Sequence, residues 1–472
     1  MTTDHIGPAP APDAASRRRE RRGWYFYDWA NSTFYTSVIT VFGAAYVGSV
    51  AAEDARTDPA NGPNACGGPE LTAKLTNCDI SLFGLQFPAG ALWGYLIGVA
   101  TVIQVFIMPV AGAIADRSQS KRPLLAAAAF TGAGATCLLV FVTGTNWELA
   151  IPLYMIAQIG YGVSIVVYYA FLAEIAEPDE RDEVSARGWA FGFLGGGVAL
   201  AVQLGIYLGH EAIGLTEGQA VRACFLMSGL WWAGFTIIPL RRLADRRQAR
   251  PIEPEVGVVR AGFRELAGTL REARAFPLTL GFLGAYLVFN DGVQTVVTTS
   301  AQYGREELHF SQDTLIATIL MVQFVAFIGG WLHGLVARRL GAKRTIMGSL
   351  TLWIGVIIAA YFLEPDEPVP FYLVGAGIGL VLGGTVALAR SLYSQMIPAG
   401  KEAQYFSLYE ISERGTAWLG PVLFAAIGSA TGSFRPAILA LIGFFVVGIA
   451  LVALVPARRA IIAAGNQPPQ RL

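Results

Sequence analysis

The sequence predicts an all-α integral membrane protein of about twelve transmembrane helices arranged as two six-helix halves. Three observations predict it: a composition too apolar for water, apolar stretches of bilayer length recurring along the chain, and basic residues that sort to one side. Charged residues make up 14% of 472 and apolar residues 54%, so no ordinary soluble surface could be built from them. Stretches of the ~20 residues that cross a hydrocarbon layer fall near 24–48, 89–114, 123–143, 149–173, 187–209, 220–240, 276–300, 313–337, 345–363, 370–396, 405–429 and 435–456. The first is the weakest, because Asp28 and Asn31 interrupt it early.

Basic residues orient membrane helices by remaining in the cytoplasm. One side collects the N-tail arginines from Arg17 to Arg22, then Arg117, Lys121, Arg122, Arg181 and Arg187, and nine arginines between Arg241 and Arg274. Arg338, Arg339, Lys343, Arg344, Arg390, Lys401, Arg458, Arg459 and Arg471 join them, making 28 of the 34 Lys and Arg. The other side holds only Arg56, Lys74, Arg222, Arg305 and Arg435, while Arg414 lies within a span. Both termini are therefore expected in the cytoplasm of a multi-pass protein of a cell inner or plasma membrane.

The expected organisation is a disordered basic tail over 1–23, a six-helix half over 24–240, a linker over 241–275, a second half over 276–456 and a C-tail over 457–472. The Ala- and Pro-rich start reads as a tail, since no cleavage pattern of the usual length follows it. Within the linker, Val259, Phe263, Leu266 and Leu270 recur at helical spacing among Arg260, Arg264, Arg271 and Arg274. A short basic helix on the inner leaflet, or a plain solvated helix, fits that pattern. Cys137 and Cys224 sit inside apolar spans as small hydrophobes. Cys66 and Cys78 fall in the long external loop near 51–88, where a disulfide or two free thiols are both open.

The halves repeat one another. Gly112-Ala113-Ile114-Ala115-Asp116-Arg117, with Lys121 and Arg122, corresponds to Gly334-Leu335-Val336-Ala337-Arg338-Arg339, with Lys343 and Arg344. Val184-Ser185-Ala186-Arg187-Gly188 corresponds in the same way to Ile411-Ser412-Glu413-Arg414-Gly415. Parallel six-helix repeats are one way to build a rocking transporter. The Gly112 segment resembles the loop motif of the major facilitator superfamily, with Gln119 in place of a usual glycine. There Gly112 would let helices approach, and Asp116 with Arg117 would latch the outward-open state, with Asp116 facing a helix N-terminus and nearby arginines of the opposite half. Arg338 replaces the acid in the second copy, so the latch role is not carried there.

Further segments extend the resemblance: Gly23-Trp24-Tyr25-Phe26-Tyr27-Asp28-Trp29-Ala30-Asn31-Ser32, Phe289-Asn290-Asp291-Gly292-Val293-Gln294-Thr295, and Glu410 through Pro421. With Phe171-Leu172-Ala173-Glu174-Ile175 and Ala389-Arg390-Ser391-Leu392 they resemble, over nearly the whole chain, the autophagy-linked vacuolar amino acid effluxers and their bacterial relatives. That resemblance implies the major facilitator fold and, for the eukaryotic members, export of amino acids from the vacuole. It leaves the substrate of this chain open.

Polar groups inside spans are costly and so become functional candidates. Asp291 and Asn290 lie about 20 Å along their span by helical rise, and Gln294 follows one turn later. They are candidates for a central cavity, with a structural helix-to-helix hydrogen bond as the alternative, and Gly292 is expected to loosen the helix. Asp28 and Asn31 lie shallower, among aromatic residues that could form an interfacial belt; Asp28 is a candidate for solute binding or coupling or for anchoring, and Asn31 is a candidate for the cavity. Arg390, Glu410 and Arg414 are expected either in ion pairs between helices or on the solute. The acidic run from Glu174 to Glu183 reads as a solvated loop with Glu174 at its edge.

The glycine-rich stretches lie inside apolar helices and lack the phosphate-loop pattern, and no catalytic or metal-ligand spacing occurs. An enzyme, a cofactor, a metal and a nucleic-acid partner are therefore not expected. The expected function is secondary transport of a small solute by alternating access: an amino acid or related zwitterion, moved outward, with protons as a candidate coupling ion and lipids as surroundings. A drug or sugar exporter of the same fold and a non-transporting membrane receptor are the alternatives.

Overall fold

The structure is a computed structural model that describes residues 14–62, 66, 78–118, 120–245, 268, 271, 274–415 and 419–472. Among these are eleven helices long and apolar enough to cross a membrane. In order they are α1 (Ala14–Thr57), α2 (Ala89–Arg117), α3 (Arg122–Phe141), α4 (Trp147–Ile175), α5 (Arg181–Leu208) and α6 (Glu217–Arg242). The second half supplies α7 (Pro277–Glu306), α8 (Gln312–Leu340), α9 (Ala342–Tyr361) and α10 (Pro368–Gln395). Two shorter helices, α11 (Glu402–Gly415) and α12 (Leu419–Thr431), share one crossing. They are followed by α13 (Phe434–Leu454) and a short α14 (Ala457–Ala463). The pair α11 and α12 completes twelve crossings.

Local sequence sets the ends. Thr216 and Gln219 form a reciprocal capping box before α6, Ser311 caps α8, and proline opens α7 and α10 where its missing N–H costs nothing. The first helix is longer than the sequence suggests in both directions and contains a nine-residue π-helical stretch, Phe34–Phe42. Its N-terminal part corrects the expected tail: residues 14–23 are helical, held by Arg17 on Glu177 and by Arg21 on Glu180 and the Ile175 carbonyl. The expected aromatic belt is also corrected, because Trp24 and Tyr27 are fully buried against the rest of the bundle.

The long loop between α1 and α2 holds structure that composition did not announce. A two-stranded antiparallel hairpin joins β1 (Asp79–Leu82) to β2 (Leu85–Pro88), with Leu82 opposite Leu85. Its two-residue turn, Phe83 and Gly84, has φ of 52° and 82°, the positive-φ pair that tight hairpins require. Cys66 and Cys78 are disulfide-bonded.

Both described chain ends lie on the face opposite this hairpin. Arg17 pairs with Glu177, and the Gln470 N–H donates to Asp179 at 2.7 Å, so both tails grip the turn between α4 and α5. This corrects the reading of 174–183 as a solvated loop. Glu174 holds Lys121 at 2.7 Å, Asp182 accepts from Ser391 at 2.6 Å, and Glu183 pairs with Arg187 and stands 3.6 Å from Arg338. The basic-helix reading of the linker, Gln119, Lys74, residues 1–13 and Thr416 to Trp418 lie outside the described residues.

Candidate functional site

One arginine joins the two halves at the centre. Arg390 on α10 is wholly buried, and its polar partners belong to the first half: Nε donates to Ser185 Oγ and Nη2 to the Ser185 carbonyl, each at 2.9 Å. Its Nη1 stands 3.6 Å from Asp28 Oδ2, which also accepts from the Tyr168 hydroxyl at 2.7 Å. The Trp24 and Tyr169 rings lie 4.9 and 4.6 Å from the guanidinium carbon, within cation–π range. Burial of so hydrophilic a group is tolerable only because it is paired and hydrogen-bonded. Gly188 matters to this arrangement, since a Cβ there would fall 2.5 Å from the Trp24 ring.

A second charged cluster lies on α11, about 12–18 Å along the helix from Glu402 by helical rise. Arg414 donates through Nε and Nη2 to Glu410 Oε2, at 3.2 and 3.0 Å, and through Nη1 to Gln104 Oε1 of α2 at 2.9 Å. Gln104 in turn donates to the Gln158 carbonyl. Glu413 accepts from the Tyr286 hydroxyl at 2.8 Å, and Tyr286 stacks on Tyr409 with ring centroids 4.2 Å apart. Tyr161 closes over Arg414 at 5.6 Å, and Tyr35 lies 6.5 Å from Tyr161. Tyr35 is nonetheless 42% exposed and Glu413 and Arg414 are only half-buried, so these groups open into a central cavity. Asn31 is buried nearby on α1, with its side-chain nitrogen unpartnered among the described residues.

Asp291 occupies a different setting. Its Oδ2 accepts from the Gly420 N–H at 3.1 Å, and its Oδ1 is buried without a hydrogen-bond partner among the described residues, as is Asn290 Oδ1. The helix carrying it is unbroken, which corrects the expected loosening at Gly292: a Cβ there would meet Phe444 at 2.8 Å, so the glycine serves close packing against α13. Gln294 is half-buried one turn on and is not brought to the Arg390 or Arg414 cluster by any hydrogen bond among the described residues.

The latch geometry is explicit. Asp116 at the end of α2 accepts from the Ala403 and Gln404 N–H groups at 3.0 and 2.9 Å, capping α11 of the opposite half. Lys121 lies 4.0 Å from the same carboxylate. A Cβ on Gly112 would come 2.6 Å from the Ala403 carbonyl oxygen, so only glycine allows this approach. Arg117 ends α2 beside it. With Arg181 on the Ser394 carbonyl and Gln395 on the Pro178 carbonyl, the termini face is closed. The innermost polar contacts between halves are Gln104 with Arg414 and Gln323 with Thr36 at 2.7 Å. Beyond that level, toward the hairpin face, no hydrogen bond joins the halves among the described residues. Sequence reasoning missed Gln104, Tyr35, Tyr161 and Tyr286 as partners of these charges; the signal was polar and aromatic residues at mid-span, without a way to tell which helix faced which.

Twelve crossings in two halves, a closed gate at one face and charges around a central cavity define a membrane transporter of the major facilitator superfamily. Solved structures agree on the fold. The fucose:proton symporter FucP of E. coli matches with a TM-score of 0.65 at 11% identity, covering 93% of this chain and 98% of that one. The human organic anion transporter MFSD10 matches with a TM-score of 0.65 at 15% identity, covering 92% and 99%. The chain belongs to the family described as vacuole effluxer Atg22 like, whose model matches residues 16–465. Among relatives, an uncharacterized MFS-type transporter, YxiO of Bacillus subtilis, is 28% identical over 93% of this chain and 95% of its own length. Autophagy-related protein 22-2 of Emericella nidulans is 25% identical over 93% and 89%.

Proposed function

We propose that the protein is a secondary active transporter that exports an amino acid or related zwitterion by alternating access, with both termini in the cytoplasm. The observation that carries the reading is the presence of both signs of charge at one depth of the central cavity: Glu413 and Glu410 beside Arg414, with Asp28, Asn31 and Arg390 behind them. A zwitterion offers the complementary pair, its ammonium to a carboxylate and its carboxylate to a guanidinium. Asp291, with Asn290 and Gln294, stays a candidate for solute binding or coupling deeper in the bundle, with a structural hydrogen bond as the alternative. The family's description as effluxers and the basic bias of the termini face support the direction and orientation.

In this reading the halves, meeting at the 241–275 linker, rock about the cavity. Opening the termini face requires Asp116 to leave the α11 N-terminus and Arg390 to withdraw from Ser185 and Asp28. Uptake and counterflow of labelled amino acids, sugars and dyes in proteoliposomes, with and without a pH gradient, test it. Saturable movement of amino acids is expected. Movement of sugars or dyes in their place would replace the substrate class while leaving the transporter intact.

A further inference from the structure

Glu410 and Glu413 stand one turn apart on α11, so their carboxyls share a helix face, and one guanidinium serves them. Both donors that Arg414 turns toward its own helix go to Glu410, and its third goes to Gln104. Glu413 is left with a neutral phenol, Tyr286, and takes part in no ion pair among the described residues. The nearby Arg390 is committed to Ser185 and Asp28. The remaining groups around Glu413 are phenols, Tyr35, Tyr169, Tyr286 and Tyr409, which are uncharged at working pH. Three acids, the buried Asp28 and Glu410 and the half-buried Glu413, thus face two guanidiniums, and the unmatched negative charge falls on the acid that opens to the cavity. Glu410 is 2% exposed while Glu413 is half-buried, so water reaches Glu413 first. An unmatched charge at this depth is expensive, and a bound proton removes the expense.

We propose that Glu413 is the proton-carrying carboxyl of the transport cycle. It takes one proton from water in the cavity while the termini face is closed, crosses neutral as the halves rock, and releases that proton to water on the other side. The proposal rests on the secondary-transport reading and adds the coupling ion and its seat.

The test has two arms. Infrared difference spectra between acid and alkaline pH, taken on the full chain in lipid nanodiscs, read the carbonyl stretch of a protonated carboxyl and need no solute. The Glu413 contribution is the component present in the wild type and lost in Glu413→Gln, the other carboxyls of the chain giving the same background in both; identical wild-type and Glu413→Gln spectra overturn the proposal. In proteoliposomes, labelled leucine is the probe. A one-unit pH gradient supports about tenfold accumulation for one coupled proton. Glu413→Gln is expected to lose that accumulation, and accumulation that survives overturns the proposal. A wild type that moves no amino acid overturns the substrate reading instead, and the infrared arm still decides the fate of Glu413. Where Glu413→Gln does not fold, Glu413→Asp and Tyr286→Phe decide, because one changes the acid itself and the other removes its hydrogen-bond donor, so each must shift the Glu413 component of the band; spectra identical to wild type in both overturn the proposal.

Discussion

Asp28 and Asp291 are both carboxylates buried in mid-bundle, but only one of them faces a cation. Asp28 is held by Tyr168 and by Arg390, which reaches it from the opposite half. Asp291 meets the Gly420 backbone N–H and leaves one oxygen without a partner among the described residues. The first contact joins the two halves, and under the proposed cycle it breaks when the termini face opens. The second contact lies within one half and is not required to break. Depth in the membrane therefore does not assign a role; the identity of the neutralising partner does.

The largest effect is expected from Arg390→Ala, which leaves Asp28 without its cation. Removing one partner of a buried pair costs about 3–5 kcal/mol, so the melting temperature of the purified protein should fall sharply. The double variant Asp28→Asn with Arg390→Gln should recover much of that loss, since no uncompensated charge remains. Additive losses in the double variant would mean that the two residues act separately and would dissolve the lock.

Asp291 should respond differently. Asp291→Asn keeps an acceptor for the Gly420 N–H and should change stability by less than about 1 kcal/mol, whereas Asp291→Ala leaves that N–H unsatisfied at about 1–3 kcal/mol. Equal losses in both, measured by thermal melting, would show that the charge itself is required and that Asp291 resembles Asp28 after all.

Asp116 meets both the N-terminus of α11 and a nearby lysine. Asp116→Ala should weaken the closed termini face by about 1 kcal/mol, the usual worth of a cap. Crosslinking between Arg117→Cys and Lys401→Cys, across the gate, should decrease in that background while the fold stays intact. Undiminished crosslinking would remove the latch assignment.

How much of this was legible depends on the range of the interaction. Crossing number and the two halves were readable because lipid forces each span to be apolar and helical, and the paired loops fixed the repeat. The contact of Asp116 with the start of α11 was readable because the motif placed an acid at a helix end. The pairing of Arg390 with Asp28 was not, because it is made by tertiary packing between residues far apart in the chain. The hairpin was missed because its turn is Phe83-Gly84, not the Asn-Gly or Asp-Gly pair that announces such turns. Glu413 was grouped with its neighbours because the sequence places charges at one depth without telling which acid the single guanidinium takes.

The smallest effect concerns a carboxylate at the water's edge. Asp245, just past α6, accepts from the Lys121 N–H at 2.7 Å, from Arg122 Nε at 2.7 Å and from the Ser120 hydroxyl. Burial pushes its carboxyl up, but the hydrogen bonds from Ser120, Arg122 and Lys121 outweigh it and hold the group below the usual carboxylate range. A carboxyl lowered by folding stabilises the native state above its unfolded pKa, about 3.9, and loses that contribution as pH falls through the folded value. The closure of the α2–α3 loop onto the end of α6 should therefore hold at neutral pH and weaken only below about pH 4. Asp245→Asn should lower the melting temperature slightly at pH 7 and flatten the acid limb of its pH profile. Identical melting profiles for wild type and Asp245→Asn from pH 7 to pH 3 would mean that water already screens this contact, leaving the graded series of carboxylates to the three inside the bundle.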